Sequence, residues 1–155
     1  MSRIRHVQRV EAPTDDVFRV ATRIDRMPRW DRSVADLPGL PGVADEGTSW
    51  DGELRLAGHT IPMTATVLEL ARPTRLRIRW SSPGGCWLER RVGFQPAGTG
   101  TLVSFEVDYG LAEEWSAGSA GAELADSIER LLVAAAESLA RLAEAAARAK
   151  VEAAV

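Results

Sequence analysis

One short stretch, positions 9–31, constrains the fold of this chain more than any other. It reads RVEAPTDDVFRVATRIDRMPRWD. A β-like segment ends at Pro13. Thr14 is a good helix N-cap, and two acidic residues follow it in the first turn, where the helix dipole favours negative charge. An apolar stripe continues to Ile24, Pro28 interrupts the helix, and a second short helix or tight turn ends on Trp30. This stretch predicts one strand followed by two short helices.

The rest of the chain alternates in steps of two and then changes to helical spacing. Period-two segments separated by short turns cover positions 48–57, 60–70, 75–81, 86–95 and 101–109. One apolar and one polar face are typical of a half-buried antiparallel sheet. From about Ala122 to about Ala149, large apolar residues recur at helical spacing. We predict an α+β fold in which a curved antiparallel sheet of six or seven strands wraps around a long C-terminal helix, the seventh strand lying near 32–37. The domain is placed at residues 1–150 and a tail at 151–155.

Composition and charge argue against several classes of function. The chain has 155 residues, 45% of them hydrophobic and 26% charged, which suits one domain with one core. The net charge of -3 argues against non-specific nucleic-acid binding, which depends on a basic face. The single cysteine excludes an intramolecular disulfide, and no apolar run approaches the roughly 18 residues of a membrane span. The first residues lack the apolar core of a signal peptide, so we expect a cytoplasmic protein.

Three patterns carry a resemblance to a known group of proteins. They are V-E-A-P-x-x-x-V-F at 10–18, the end of the helical pair at Trp30-Asp31, and G-T-x-V-x-F-x-V at 100–107. In this order they resemble the START-like, or SRPBCC, superfamily, which includes the polyketide cyclase/dehydrase family, the Bet v 1 allergens and the Hsp90-activator-like proteins. The resemblance implies the helix-grip fold and a deep, mostly apolar cavity. It also implies a lipid, polyketide, hormone or aromatic ligand, with cyclisation, aromatisation or dehydration in some members.

Arg90 is the sharpest catalytic candidate. It has the same parity as Leu88, Val92 and Phe94, so it is predicted to face inward. Burying an isolated charge is costly, so an inward guanidinium must be paired or contact a ligand. It would then polarise a substrate carbonyl or stabilise an enolate. The alternatives are an inward carboxylate as its partner, a bulge that turns it to solvent, or a register slip that brings Arg91 inward.

Tyr109 and His6 are the other catalytic candidates. Tyr109 lies at the inner-face end of the last predicted strand, where its hydroxyl would donate to a ligand oxygen or make an ordinary capping contact. His6 shares the inner face of the first strand, and histidine exchanges protons near neutral pH; its alternative is a partly exposed strand end. No His, Asp or Glu cluster has metal-ligand spacing, so no metal site is predicted.

Apolar and aromatic residues are predicted to line the cavity. Five tryptophans are many for a chain with one tyrosine, and flat rings would suit an aromatic ligand. The alternative is that the rings only fill the core. For the tryptophan before the closing helix, the alternatives are a lid and an ordinary loop anchor. The candidates are Trp30, Trp50, Met63, Trp80, Phe94, Phe105 and Trp115.

Three functions follow from the resemblance. The first is an enzyme, a cyclase, aromatase or dehydratase of natural-product biosynthesis, which needs no cofactor because aldol chemistry depends on orientation and modest acid–base help. The second is a non-catalytic carrier of a lipid or other hydrophobic ligand. The third is an Hsp90-activator-like interaction module, which predicts a filled interior and an exposed apolar patch. The expected partner is a hydrophobic or aromatic small molecule, and the outward parity of Trp87 permits a homodimer.

Overall fold

A computed structural model of the chain, which describes residues 2–112 and 119–154, contains six strands, two α-helices and one 3-10 helix. The helices are α1 (Thr14–Ala21), the 3-10 helix (Ile24–Arg29) and α2 (Ser119–Ala153). The strands are β1 (Ser2–Val10), β2 (Ser49–Leu56), β3 (His59–Ala71), β4 (Arg75–Ser81), β5 (Trp87–Ala97) and β6 (Gly100–Gly110).

The six strands form one antiparallel sheet in the order β1-β6-β5-β4-β3-β2. Strands β2 to β6 are a meander, and β1 returns to pair with β6. Positions 32–37 contribute an isolated bridge, Val34 to Leu54, rather than a seventh strand. The α+β helix-grip fold predicted from the sequence is therefore confirmed, with six strands in the sheet.

Helix α2 lies across the inner face of the sheet and contacts mainly β1 and α1. Its buried residues recur every three to four positions, because one face of a helix repeats at that interval. The Ser127 hydroxyl accepts a hydrogen bond from the Ala57 N–H at 2.9 Å, which fixes the helix to the β2–β3 turn. The helix runs to Ala153, three residues beyond the predicted end of the domain at position 150. The buried residues include Leu124, Ile128, Leu132, Leu139 and Ala143.

The helical pair after β1 differs in detail from the sequence prediction. Pro13 is the N-cap of α1, and the Thr14 hydroxyl lies 3.1 Å from that of Thr101 instead of capping the helix. Helix α1 ends at Ala21, where the Thr22 hydroxyl donates to the Phe18 carbonyl at 2.8 Å. The same Phe18 carbonyl also accepts the backbone N–H of Thr22 at 3.0 Å. The bond from the Thr22 hydroxyl competes with the backbone bonds that would continue the helix. The break therefore precedes the proline, which lies within the 3-10 helix.

The outer face of the sheet carries a network of ion pairs. Glu89 and Asp108 are buried there although they are acidic. Asp108 accepts hydrogen bonds from Arg3 and from Arg91, each at 2.8 Å. Trp87, which has the outward parity predicted, is half-buried under the guanidinium of Arg79, 4.6 Å from its ring centroid.

Protonation of Asp108 at acidic pH is expected to lower the free energy of unfolding. The hydrogen bond from Arg3, followed by that from Arg91, holds the pKa of Asp108 below its ordinary value of 3.8. A carboxylate whose pKa is lowered by folding contributes its full stabilisation at pH values above its pKa in the unfolded state. It loses that contribution as the pH falls through its pKa in the folded state. Asp108→Asn is expected to cost about 1 kcal/mol at pH 7, since both arginines are partly exposed.

Urea unfolding at several pH values measures this effect. The stability difference between wild type and Asp108→Asn should shrink as the pH falls below 3.8. Asp36→Asn, at an exposed position, serves as the control and should show no such trend. A difference that stays constant from pH 7 to pH 2.5 would contradict the assignment.

Candidate ligand-binding site

The most unusual feature of the interior is a buried ion pair between Arg90 and Asp31. Their side chains are only 7% and 1% exposed, and Arg90 Nη1 donates to Asp31 Oδ2. The other carboxylate oxygen, Oδ1, accepts the Ser33 N–H at 3.0 Å and the Ser33 hydroxyl at 2.6 Å. Burial of two charges is favourable only when such additional hydrogen bonds satisfy them, and here both carboxylate oxygens have donors.

Two tryptophan rings surround the guanidinium. Its central carbon lies 5.3 Å from the ring centroid of Trp30 and 5.2 Å from that of Trp80. Both distances allow cation–π attraction, which is strongest away from water. Arg90 Nη2 also approaches the Met27 sulfur at 3.5 Å. The charge is therefore enclosed by polarizable side chains from the helical pair and from β4.

Local structure explains how these groups meet. The 3-10 helix ends in a turn in which the N–H groups of Trp30 and Asp31 both donate to the Met27 carbonyl, at 3.1 and 2.9 Å. This turn aims Asp31 at the sheet. In the sheet, Arg90 lies opposite Ile78 on one side and Val107 on the other, both of which face the core. The inward orientation expected for Arg90 is therefore present, with an inward carboxylate as its partner.

A small cavity lies beside the ion pair. Its volume is about 20 Å³, which is room for about one water molecule. The described residues therefore do not show the deep cavity that the resemblance implies, because side chains of α2 and the sheet fill the space. Three polar residues meet at the cavity, Asp31, Ser33 and Arg90. The other lining residues are Val34, Leu54, Leu56, Trp80, Leu88, Val107, Ile128, Leu131 and Leu132.

The predicted ligand-contacting residues are dispersed. Trp80 lines the cavity, and Trp30 contacts Arg90 from outside it. The remaining four within the described residues are buried elsewhere in the core, so their contact with a ligand stays a prediction. One of them, Phe94, packs edge-on against Phe18, with ring centroids 5.1 Å apart. Trp115 lies outside the described residues, and the four core residues are Trp50, Met63, Phe94 and Phe105.

The other two catalytic candidates do not line the cavity. Tyr109 is buried one inward pair along the sheet from Arg90, since it pairs with Leu88 and Arg90 pairs with Val107. His6 is half-buried, and its Nε2 lies 3.3 Å from the amide oxygen of Gln8. The catalytic roles of both residues stay predictions.

Sequence reasoning missed the partner of Arg90 and most of the cavity lining. A signal for Asp31 did exist, because an inward arginine requires an acid and Asp31 follows directly on the tryptophan of the helical pair. No comparable signal existed for Ser33, and the apolar stripe of α2 indicated which face is buried without showing which of its residues line the cavity. Within residues 2–112 and 119–154, no three His, Cys, Asp or Glu side chains are grouped to hold a metal ion. In the same part of the chain, no helix is long and apolar enough to cross a bilayer.

Solved structures share this architecture along nearly the whole chain. TTHA0849 from Thermus thermophilus matches with a TM-score of 0.75 and 22% identity, covering 94% of this chain and 99% of that one. The Zhui aromatase/cyclase from a Streptomyces species matches with a TM-score of 0.68 and 16% identity, covering 92% of this chain and 93% of that one. Ara h 8.0201 matches with a TM-score of 0.67 and 10% identity, covering 92% of this chain and 97% of that one. At these identities the likeness shows the fold.

Sequence comparison identifies the family. No curated protein sequence matches this chain. The profile of the family described as "Polyketide cyclase / dehydrase and lipid transport" matches residues 1–144, which include β1, the ion pair and most of α2. This match confirms the resemblance inferred from the three sequence patterns. The chain therefore belongs to the polyketide cyclase/dehydrase and lipid transport family.

Proposed function

We propose that this protein binds a hydrophobic small molecule between the sheet and α2, with an oxygen of the ligand bonded to Arg90. The observation that carries the proposal is the meeting of three polar side chains at an otherwise apolar cavity. Ligand sites combine apolar walls with a few convergent polar groups in this way. The family match and the related aromatase/cyclase structure support a ligand of the polyketide type.

The guanidinium has the chemistry for a carbonyl or enolate ligand. It carries five N–H groups, and the hydrogen bonds to Asp31 and Met27 use two of them. A fixed donor in a dry site stabilises negative charge as it develops on oxygen. A cyclase or dehydratase would use Arg90 in this role, and a carrier would use it only to orient the ligand. The enzyme hypothesis is proposed as the stronger of the two because the ion pair fixes the guanidinium before the ligand arrives.

Ligand entry requires the interior to open. An apolar cavity that admits benzene measures about 150 Å³, whereas the cavity here measures about 20 Å³. Helix α2 supplies three lining residues, Ile128, Leu131 and Leu132. Movement of this part of α2 away from β2 is the route that enlarges the cavity without breaking the sheet.

An interaction module is the second candidate, and the filled interior favours it. An interaction module also requires an exposed apolar patch to which its partner protein binds. The large hydrophobic residues exposed in the described part of the chain lie on four separate segments, β1, the loop before β2, β3 and α2. They are Val7, Val43, Leu68 and Val151.

Ligand binding tests the proposal directly. We expect native mass spectrometry to show a co-purifying ligand, or tryptophan fluorescence to be quenched saturably by aromatic polyketides or fatty acids, with a Kd on the order of micromolar. The pair 2-acetylnaphthalene and naphthalene then isolates the role of the oxygen, because a ketone oxygen only accepts hydrogen bonds and the Arg90 guanidinium only donates them. Asp31→Leu/Arg90→Met should weaken 2-acetylnaphthalene binding about tenfold and leave naphthalene unchanged, because one good hydrogen bond contributes about 1.4 kcal/mol.

The matched control is Arg55→Met, which removes an exposed arginine of β2. It should bind both compounds as wild type does. Absence of binding across the whole panel would overturn the proposal in favour of the interaction module. An equal loss of both compounds in the double variant would show that the ion pair supports the fold and does not contact the ligand.

A further inference from the structure

We propose a second binding site on the surface, for an oxyanion carried on a short apolar group. It lies where α1, the 3-10 helix and the last third of α2 meet, in a cleft of about 300 Å³, which is the lower end of the range for ligand sites. This arginine cleft is defined by four guanidinium side chains and four wall residues. The arginines are Arg19, Arg23, Arg26 and Arg29, and the wall residues are Val20, Trp30, Leu142 and Ala146.

The arginine cleft is separate from the interior cavity, because the two share no lining residue. Its four arginines line the cleft from both parts of the helical pair, Arg19 from α1, Arg26 and Arg29 from the 3-10 helix, and Arg23 from the break between them. Helix α2 contributes only Leu142 and Ala146 to the opposite wall. The inference therefore does not rest on the proposed interior function.

Charge in the cleft is poorly compensated. None of the lining residues is acidic. Arg23 is paired with Asp25 at 2.9 Å, and that hydrogen bond lowers the pKa of Asp25. Arg19 lies 3.6 Å from Asp16, a carboxylate that it shares with Lys150. Among the residues described, Arg26 and Arg29 form no ion pair, although the charge of Arg26 also helps to lower the pKa of Asp25, so an entering anion would meet two guanidinium groups without a directly bonded carboxylate.

The wall of the cleft holds an unexplained polar group. Trp30 is only 2% exposed, and its indole N–H is buried without a hydrogen-bond partner in residues 2–112 and 119–154. Buried donors without partners are rare, and each asks for an explanation. Because this nitrogen is buried, a ligand oxygen in the cleft would supply the missing acceptor only after the ring rotates to bring the N–H to the wall.

These features specify the class of ligand. Guanidinium groups bind carboxylate and phosphate oxygens through paired hydrogen bonds. Val20, Leu142 and Ala146 offer a small apolar surface beside them. The ligand is therefore an oxyanion attached to a short chain or ring, for which hexyl phosphate and hexanoate are suitable probes.

Calorimetric titration with these probes tests the arginine cleft. Hexyl phosphate and hexanoate should bind saturably, and hexanol should not bind there. Arg26→Gln/Arg29→Gln should weaken both anions at least tenfold. Arg32→Gln/Arg55→Gln removes the same charge from two exposed arginines outside the cleft, and it should leave the affinities unchanged. Arg26→Lys/Arg29→Lys keeps the charge without the guanidinium and should give an intermediate loss.

A spectroscopic signal locates the bound ligand. The indole N–H resonance that disappears in Trp30→Phe identifies Trp30, and in wild type that resonance should shift as hexyl phosphate is added. Inorganic phosphate tests the anion without its apolar part and should bind more weakly than hexyl phosphate. Equal weakening by the glutamine variant and its charge-matched control would overturn the site, as would an unshifted Trp30 resonance. Binding to vesicles containing phosphatidylglycerol without binding of either soluble anion would also overturn it.

Discussion

A protein carrying Arg90→Met alone is expected to lose about 3–5 kcal/mol of unfolding free energy, because Asp31 is left buried without its counter-ion. The carboxylate is 1% exposed, and it would retain only the two hydrogen bonds from Ser33. Asp31→Leu alone should destabilise by a similar amount, since it leaves the guanidinium without a partner. Whole domains are stable by only about 5–15 kcal/mol, so either variant approaches the limit of folding.

The double variant Asp31→Leu/Arg90→Met is expected to recover most of this loss. Hydrophobic replacement of a buried ion pair is often neutral or stabilising, because neither charge then has to be desolvated. The Ser33 groups lose their acceptor, but Ser33 is only half-buried and water can replace the carboxylate. Urea unfolding of the four proteins in this cycle measures the coupling between the two sites.

Arg91→Met provides the control for the cycle. Arg91 is the next residue of the same strand, it is 40% exposed, and it pairs with acids on the outer face. Its removal should cost about 1 kcal/mol or less. A double variant as unstable as either single variant would show that the ion pair is required by the fold. The ion pair would then be explained by the fold and would not by itself support a bond from Arg90 to a ligand.

Trp80→Ala is expected to destabilise the protein by about 3–5 kcal/mol and to open the interior. Trp80 is 2% exposed, lines the cavity and lies over the guanidinium of Arg90. Truncation of a buried tryptophan loses its burial and leaves space that the surroundings fill only in part. The space becomes comparable with the apolar cavities of about 150 Å³ that admit benzene.

Rescue by an added aromatic compound tests whether Trp80→Ala leaves an open cavity in the interior. Indole should raise the melting temperature of Trp80→Ala in proportion to the logarithm of its concentration, because it binds the folded state alone. The same indole should raise the melting temperature of wild type much less, because the wild-type interior, with a cavity of about 20 Å³, must first open to admit it. Phe105→Ala truncates a residue that is 1% exposed and lies outside the cavity lining, so benzene should stabilise it better than indole. No rescue of Trp80→Ala by indole would mean that the site collapses, and the cavity would then be an unsuitable place for a ligand.

The fold and one site residue were predictable because local patterns determine them. Alternation in steps of two places every second residue of a strand on the same face, so the parity of Arg90 was sufficient to turn it inward once β5 formed without a register slip. The helix pattern located α2 in the same way. The break of α1 at Thr22 was not predictable from apolar spacing, because a hydroxyl–carbonyl bond to Phe18 decides it.

The arrangement of the site was decided by tertiary contacts. Arg90 and Asp31 are separated by 59 residues, and no local pattern measures a distance between a sheet and a turn that packs on it. The volume of the cavity is likewise a small difference between two large volumes, the space enclosed by the backbone and the volume of the side chains that fill it. The sequence by itself therefore determined the strands, the helices and the faces that they bury, because these depend on neighbours along the chain. Only the tertiary structure decided the partner of Arg90, the size of the cavity and the position of the arginine cleft, because these depend on how separate elements pack.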